Sequence, residues 1–250
     1  YPRLQNHEVI MWNNKKVSVI FPTYNEKDSI YASIKDFFSD GLVDEIVVVN
    51  NNAAEGTSEE VKKTKAREVF EKKQGYGYAI RKGLKEAKGD LLIIAEPDGT
   101  FFGNDVKKLL VYSDDVGVVF STRTTKNMIW KGANMDSFLR WGNWAIAKLL
   151  EVLFNTTILT DMGGSMTLLS RDSLNKIQKH FRVGREHFGP EMILLVVLKK
   201  IKFVEIPINY QKRIGKSSVT GSRFKAFILG LQMIYIIIYY RIISWLGFIR

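Results

Sequence analysis

The chain has 250 residues, of which 46% are hydrophobic and 25% charged, and it contains no cysteine. These fractions are typical of a globular protein and exclude intrinsic disorder and fibrous repeats, and the lack of cysteine excludes disulfides, thiolate zinc sites and cysteine nucleophiles. The formal net charge of +11 divides into −1 on residues 1–100 and +12 on residues 101–250, which predicts an anionic partner for the second half: nucleic acid, phospholipid headgroups or a phosphorylated substrate.

The first half of the chain alternates short apolar runs with helical patterns. The runs are Val17–Phe21, Glu45–Val49 and Leu91–Ala95, and the helical patterns are Asp28–Phe38, Ser58–Arg67 and Tyr78–Ala87. The runs are uniformly apolar, as expected for strands that are covered on both faces of a parallel sheet. We therefore predict an α/β protein with a Rossmann-like, mostly parallel central sheet flanked by helices, and ligands at the carboxyl ends of its strands.

The second half has a less regular rhythm. Its predicted strands are Gly117–Ser121, Met166–Ser170 and Phe203–Tyr210, and its predicted helices are Met135–Phe154 and Pro190–Lys200. Pro207 places the strand that contains it near a sheet edge, because proline cannot donate a ladder hydrogen bond.

The tail, Phe224–Arg250, has a composition of its own. From Ala226 to Tyr240 every residue is apolar or aromatic except Gln232. Spanning a bilayer takes about twenty uninterrupted apolar residues, and Gln232 and Arg241 break the run. With basic residues before it, the tail predicts an amphipathic helix in the membrane interface, in preference to a core helix of a soluble domain.

A pair of carboxylates follows the third predicted strand, in the segment LLIIAEPDGTF. Glu96 and Asp98 are two positions apart, so in an extended turn both can meet one cation. Hard oxygen ligands at this spacing suit Mg²⁺ or Mn²⁺ bridging a diphosphate. The alternative is an acidic turn that starts a helix, which the position at a strand's carboxyl end disfavours.

Polar and small residues also follow the other strands. PTYNE, residues 22–26, and the run Asn50, Asn51 and Asn52 can meet a base or ribose through donors and acceptors. QGYGYAIRKG brings Gly77 and Arg81 to the start of a helix, where a backbone can approach phosphate.

These segments, in this order and spacing, resemble the family 2 glycosyltransferases of the GT-A fold, and more closely the dolichyl-phosphate mannose synthase type. The resemblance runs from about Val17 to Lys225. It implies an inverting, metal-dependent enzyme that moves a sugar from a UDP- or GDP-linked donor to a polyprenyl phosphate at the cytoplasmic face of a membrane.

The resemblance also implies roles for individual residues. The nucleotide-binding set is Pro22, Tyr24, Glu26, Asn50, Asn51, Gly77, Arg81, Arg213 and Ser217, with the asparagines where the family usually has aspartates. Glu96 and Asp98 match the family's metal-binding Asp-x-Asp pair. Asp98, Asp161 and Glu191 are the catalytic candidates, the last two as carboxylate bases, and Arg123 is the candidate for the acceptor phosphate.

The chain then divides into an N-terminal extension (1–16), a GT-A domain (17–221) and a membrane-associating helix (222–250). Within the domain, residues 17–121 form the nucleotide-sugar half and residues 122–221 the acceptor half. Alternatives are the same fold with a glycan or soluble acceptor, a non-catalytic membrane-bound scaffold, or a basic nucleic-acid-binding module. The last lacks any nucleic-acid motif, so we predict a nucleotide sugar, a polyprenyl phosphate and a membrane surface as partners, and no nucleic acid.

Overall fold

The structure is a computed structural model that describes residues 12–215 and 222–247. Ser217 and most of the predicted N-terminal extension lie outside the described residues, as do the last three residues of the tail.

The described chain builds one seven-stranded sheet in the order β3-β2-β1-β4-β6-β5-β7. Its strands are β1 (Val17–Thr23), β2 (Glu45–Asn50), β3 (Arg67–Phe70), β4 (Leu91–Ile94), β5 (Val118–Thr122), β6 (Thr167–Ser170) and β7 (Phe203–Pro207). The first four strands are parallel, β6 runs antiparallel to both of its neighbours, and β7 is parallel to β5. The predicted mostly parallel sheet is confirmed.

Helices cover both faces of this sheet. They are α1 (Lys27–Phe38), α2 (Thr57–Lys62), α3 (Tyr76–Glu86), α4 (Val106–Tyr112), α5 (Ser137–Phe154), α6 (Arg171–Ile177), α7 (Phe188–Leu198) and α8 (Arg223–Trp245). One core cluster joins alternate strand residues to α3, α5, α6, α7 and α8, and the other joins the remaining strand residues to α1 and α4. Every residue of β1 and β4 is buried, which explains their uniformly apolar sequences.

Outside the tail, two predicted elements end more than two residues away from where the structure ends them. The prediction of a helix over Ser58–Arg67 is wrong in its second half, because α2 ends at Lys62 and Arg67 begins β3. The Arg67 guanidinium there donates to Glu45 across the neighbouring strand, at 2.9 Å. The strand predicted over Phe203–Tyr210 ends at Pro207, at the sheet edge where that proline was expected to place it.

The C-terminal helix α8 has one buried and one exposed apolar face. Among the described residues it is the helix long and apolar enough, by length and composition, to cross a membrane. Met233, Ile236, Ile237 and Tyr240 pack into the core, whereas Tyr235 and Trp245 stay 71% and 83% exposed. The tail therefore contains the expected apolar helix, and this helix both packs against the core and exposes apolar surface.

Candidate active site

A cleft of about 580 Å³ opens where β1 and β4 end. One end is polar and is lined by residues that include Tyr24, Glu26, Glu96 and Arg213. The other end is apolar and is walled by α5 and α8. Its lining includes Leu139, Ile146, Phe227, Leu231 and Met233. The cleft therefore joins a charged compartment to an apolar one.

Asp98 supplies a carboxylate behind the polar end: it is buried, and the described lining of the cleft does not include it. Its Oδ1 accepts hydrogen bonds from the Thr100 amide at 2.9 Å and from the Thr100 hydroxyl at 2.5 Å. Its Oδ2 lies 2.7 Å from Nη2 of Arg213 but makes no aligned hydrogen bond to any residue that the structure describes. A buried carboxylate oxygen in this condition is poised to take a cation.

Glu96 lines the cleft beside Asp98. Loss of hydration raises the pKa of Glu96 to about 7, and the charge of Asp98 adds to the shift. In the part of the chain that the structure describes, no group of three or more His, Cys, Asp or Glu side chains is arranged to hold a metal ion by itself. The two carboxylates fit Mg²⁺ or Mn²⁺ nevertheless, because these ions commonly complete their coordination with substrate phosphates and water.

Arg213 lies among three acidic side chains. Its Nη2 is 2.7 Å from Asp98, 3.8 Å from Glu26 and 3.9 Å from Glu96. The segment around it is fixed to the turn after β4, since the Ile214 amide donates to the Asp98 carbonyl at 2.8 Å. In this arrangement the guanidinium supplies the positive charge that the carboxylate cluster requires.

The segment after β1 forms a turn that Glu26 holds in shape. The Glu26 carboxylate accepts hydrogen bonds from the amides of Tyr24, at 2.7 Å, and Asn25, at 2.8 Å. Pro22 and Tyr24 line the cleft beside it. The structure thus brings Pro22, Tyr24 and Glu26 together with the carboxylate pair, as their positions after strands predicted.

The asparagines after β2 are engaged within the protein. Asn51 lines the cleft, but its amide donates to the carbonyls of Glu71 and Lys73, and its oxygen accepts from the Gly75 amide at 2.8 Å. Asn50 lies away from the cleft lining, with its amide donating to Glu68 at 3.0 Å. The Asn50 oxygen also accepts from the Ala53 amide at 2.8 Å, so both side chains hold backbone near the polar end of the cleft.

The glycine-rich segment meets the cleft with different residues from those predicted. Gly75, Tyr76 and Ala79 line it, whereas the described lining does not include Gly77 or Arg81. Burial raises the pKa of the Tyr76 phenol, and the negative charge of Glu96 adds to the shift. Sequence analysis missed Tyr76, although its place between two glycines at a helix start was a usable signal.

Arg123 and Asp161 form a buried ion pair midway along the cleft. Nε and Nη2 of Arg123 donate to the two Asp161 oxygens at 2.8 and 3.0 Å, and the Arg123 amide donates at 3.0 Å. Burial alone would raise the pKa of Asp161, but the charge and hydrogen bonds of Arg123 outweigh it and hold that pKa below its usual value. Arg123 lines the cleft, and Asp161 lies behind it as its counter-charge.

Glu191 lies outside the cleft lining. It has no exposed surface, and its carboxylate accepts hydrogen bonds from the amides of Arg182 and Val183 and from the Tyr240 hydroxyl. The structure therefore separates the three predicted catalytic carboxylates: Asp98 at the polar end, Asp161 behind Arg123, and Glu191 in the core.

Comparisons with known proteins agree with this geometry. The profile of glycosyl transferase family 2 matches residues 18–178. A dolichyl-phosphate hexose transferase of Haloferax volcanii is 26% identical over 206 residues, which cover 81% of this chain and 86% of the relative. A dolichyl-phosphate beta-glucosyltransferase of Saccharomyces cerevisiae is 24% identical, covering 94% of this chain and 76% of the relative.

A solved structure shares the fold. Glucosyl-3-phosphoglycerate synthase of Mycobacterium tuberculosis, crystallised with Mn²⁺, UDP and phosphoglyceric acid, superposes with a TM-score of 0.71 at 17% identity. The match covers 92% of this chain and 79% of that chain. The predicted GT-A-like architecture is confirmed.

Proposed function

We propose that this chain, which belongs to glycosyl transferase family 2, transfers a sugar from a nucleoside diphosphate sugar to a polyprenyl phosphate at a membrane surface, with inversion at the anomeric carbon. The observation that carries the proposal is the single cleft that joins the carboxylate cluster to the apolar compartment between α5 and α8. Residues 17–121 would supply most of the donor end, and residues 122–221 with the helix in 222–250 most of the acceptor end.

The polar end suits the donor. Pro22 and Tyr24 would flank the base and ribose, with Asn51 keeping the facing loop in place. Asp98 and Glu96 would hold Mg²⁺ or Mn²⁺, which when bound neutralises the departing diphosphate as a Lewis acid. Arg213 would then turn from the carboxylates to the diphosphate, and Ser217, which lies outside the described residues, is a further candidate for binding the diphosphate.

The middle of the cleft suits an acceptor phosphate. Asp161 takes two of the N–H groups of the Arg123 guanidinium, which leaves others for an anion, and fixes the orientation of the side chain. A phosphate is already anionic near neutral pH and needs little help from a general base. This agrees with the hydrogen-bonded, buried states of Asp161 and Glu191, neither of which lines the cleft.

The apolar end suits a lipid chain and a membrane. On α5, Trp141 is 60% exposed and Trp144 lies beside it, and the exposed face of α8 carries Tyr235 and Trp245. Exposed apolar surface of this kind marks an interaction site. Tyr and Trp residues with Arg223 at the start of α8 match the chemistry of the bilayer interface, and we place the enzyme at the cytoplasmic face.

The proposal is tested first at the donor end. Calorimetric titration of UDP and of GDP, each with and without Mn²⁺, is expected to show metal-dependent binding of one nucleotide by the wild type. The Asp98→Ala variant is expected to lose this binding, and Asp115→Ala, which removes an exposed carboxylate, is expected to keep it. Binding of neither nucleotide to the wild type would overturn the proposed donor site.

A further inference from the structure

Glu191 is buried in the core, where its carboxylate accepts hydrogen bonds from three donor groups. Oε1 accepts from the Tyr240 hydroxyl at 2.7 Å and from the Arg182 amide at 3.0 Å, and Oε2 accepts from the Val183 amide at 3.0 Å. A buried carboxylate is costly unless it is fully hydrogen-bonded. These donors come from α8 and from the loop that precedes α7, so one side chain joins two separate parts of the fold.

Helix α8 holds this loop at two adjacent positions. The Tyr240 side chain is buried, with its hydroxyl on Glu191. The neighbouring Tyr239 hydroxyl accepts a hydrogen bond from Nη1 of Arg182 at 3.0 Å. The loop therefore follows the position of the helix that walls the apolar end of the cleft.

The other side of the loop packs against the start of α3. The Gly184 carbonyl accepts a hydrogen bond from the Tyr78 amide at 3.2 Å. A Cβ atom on Gly75 would overlap the Gly184 carbonyl, and one on Gly77 would lie 2.8 Å from the Val183 carbonyl. Because the two backbones are this close, the loop cannot move toward α3 without displacing it.

The start of α3 is part of the donor end. The Gly75 amide donates to Asn51, and Gly75 and Tyr76 line the cleft. Tyr76, Asn51 and Glu96 all line the cleft. A continuous series of contacts therefore runs from Tyr240 on α8 through Glu191 and the loop to Gly75 and Asn51 in the lining of the cleft.

We infer that Glu191 is a positioning residue that couples the seating of α8 to the geometry of the nucleotide end of the cleft. The inference rests on the proposed donor site. Coupling of this kind is reciprocal: seating α8 on its acceptor or membrane strengthens nucleotide binding, and bound nucleotide strengthens the seating of α8.

The test removes one hydroxyl. Tyr240→Phe keeps the buried ring and takes one donor from Glu191. Tyr112→Phe makes the same chemical change at an exposed position of α4, outside the cleft and away from α8, and is the matched control. Two quantities are measured on the full chain: the Kd of UDP or GDP with Mn²⁺, and amide hydrogen exchange of residues 76–79 and 182–184 without nucleotide.

We expect Tyr240→Phe to weaken nucleotide binding about tenfold, the usual scale for losing a hydrogen bond to a charged group. Exchange is expected to accelerate in both segments, and Tyr112→Phe is expected to change neither quantity. Glu191→Gln, which sets an amide against two backbone N–H groups, is expected to have the same effect. Adding Tyr240→Phe to it is expected to cost less than Tyr240→Phe alone.

The inference is overturned if Tyr240→Phe lowers the Tm while nucleotide Kd and the exchange of residues 76–79 match the Tyr112→Phe control, since Glu191 would then serve only the core. If the wild type binds neither nucleotide, the proposed donor site fails instead. The exchange of residues 76–79 then decides the coupling without nucleotide.

Discussion

The carboxylates around the polar end of the cleft differ from Asp161 and Glu191 in how their oxygens are engaged. At the polar end, Asp98 keeps an oxygen without an aligned hydrogen bond from any described residue, and Glu96 carries a pKa raised to about 7. Farther along, Asp161 has a lowered pKa and two bonds from the Arg123 side chain, and Glu191 is closed off by three donors. A carboxylate that keeps an oxygen without an aligned hydrogen bond, as Asp98 does, suits the binding of a cation. Carboxylates with every oxygen hydrogen-bonded instead hold other groups in position.

The largest expected effect is a loss of activity at the carboxylate pair Glu96 and Asp98. Asp98→Asn keeps the size of the side chain and removes its charge, so we expect kcat to fall about a thousandfold, the scale of losing a main electrostatic stabiliser of a transition state. Steady-state sugar transfer measures this. The Tm is expected to stay close to that of the wild type, and a variant that loses activity only by unfolding contradicts the contrast.

Asp161→Asn tests the ion pair between Arg123 and Asp161, and we expect it to lower the free energy of unfolding. The substitution leaves the buried Arg123 without its counter-charge, which costs about 3 kcal/mol of unfolding free energy. Urea unfolding followed by circular dichroism measures it. If Asp161→Asn leaves the unfolding free energy unchanged but abolishes sugar transfer, the result contradicts this account and supports Asp161 as a general base.

Arg213→Gln is expected to strengthen the binding of Mn²⁺ to the carboxylates in the absence of nucleotide. The substitution removes the guanidinium that lies among Asp98, Glu96 and Glu26. We expect Mn²⁺ without nucleotide to bind about fivefold more tightly, the scale of a partly exposed ion pair. Nucleotide binding is expected to weaken at the same time. Titration by Mn²⁺ electron paramagnetic resonance separates the two, and equal weakening of both would show that Arg213 does not compete with the cation.

The smallest expected effect is that of acid pH on the difference in unfolding free energy between the wild type and Asp161→Asn. Since the folded pKa of Asp161 is lowered, its stabilisation is complete above the unfolded value of about 4 and is lost as the pH falls through the folded value. The stability gap between wild type and Asp161→Asn is therefore expected to be constant near neutral pH and to narrow below about pH 4. Unfolding curves across this range measure the gap, and a gap that widens in acid would contradict the assigned charge state.

The sequence predicts the sheet and the open carboxylates because both follow from local pattern. Buried parallel strands are uniformly apolar, and ligands collect where such strands end. Strand β3 escaped prediction because it has four residues, all partly buried or exposed, and follows the lysine-rich residues 62–65. Partners across the fold were also out of reach, since Glu191 and Tyr240 are 49 residues apart and nothing local marks them as bonded.

The most direct test of the account is sugar transfer by the full chain from the nucleotide sugar it binds to three acceptors in lipid vesicles: a polyprenyl phosphate, the same polyprenol without phosphate, and a short water-soluble phosphate. The account predicts transfer to the polyprenyl phosphate and little to the other two, because Arg123 requires the phosphate and the compartment between α5 and α8 requires the chain. Transfer to the soluble phosphate at an equal rate, or to the polyprenol, would contradict it.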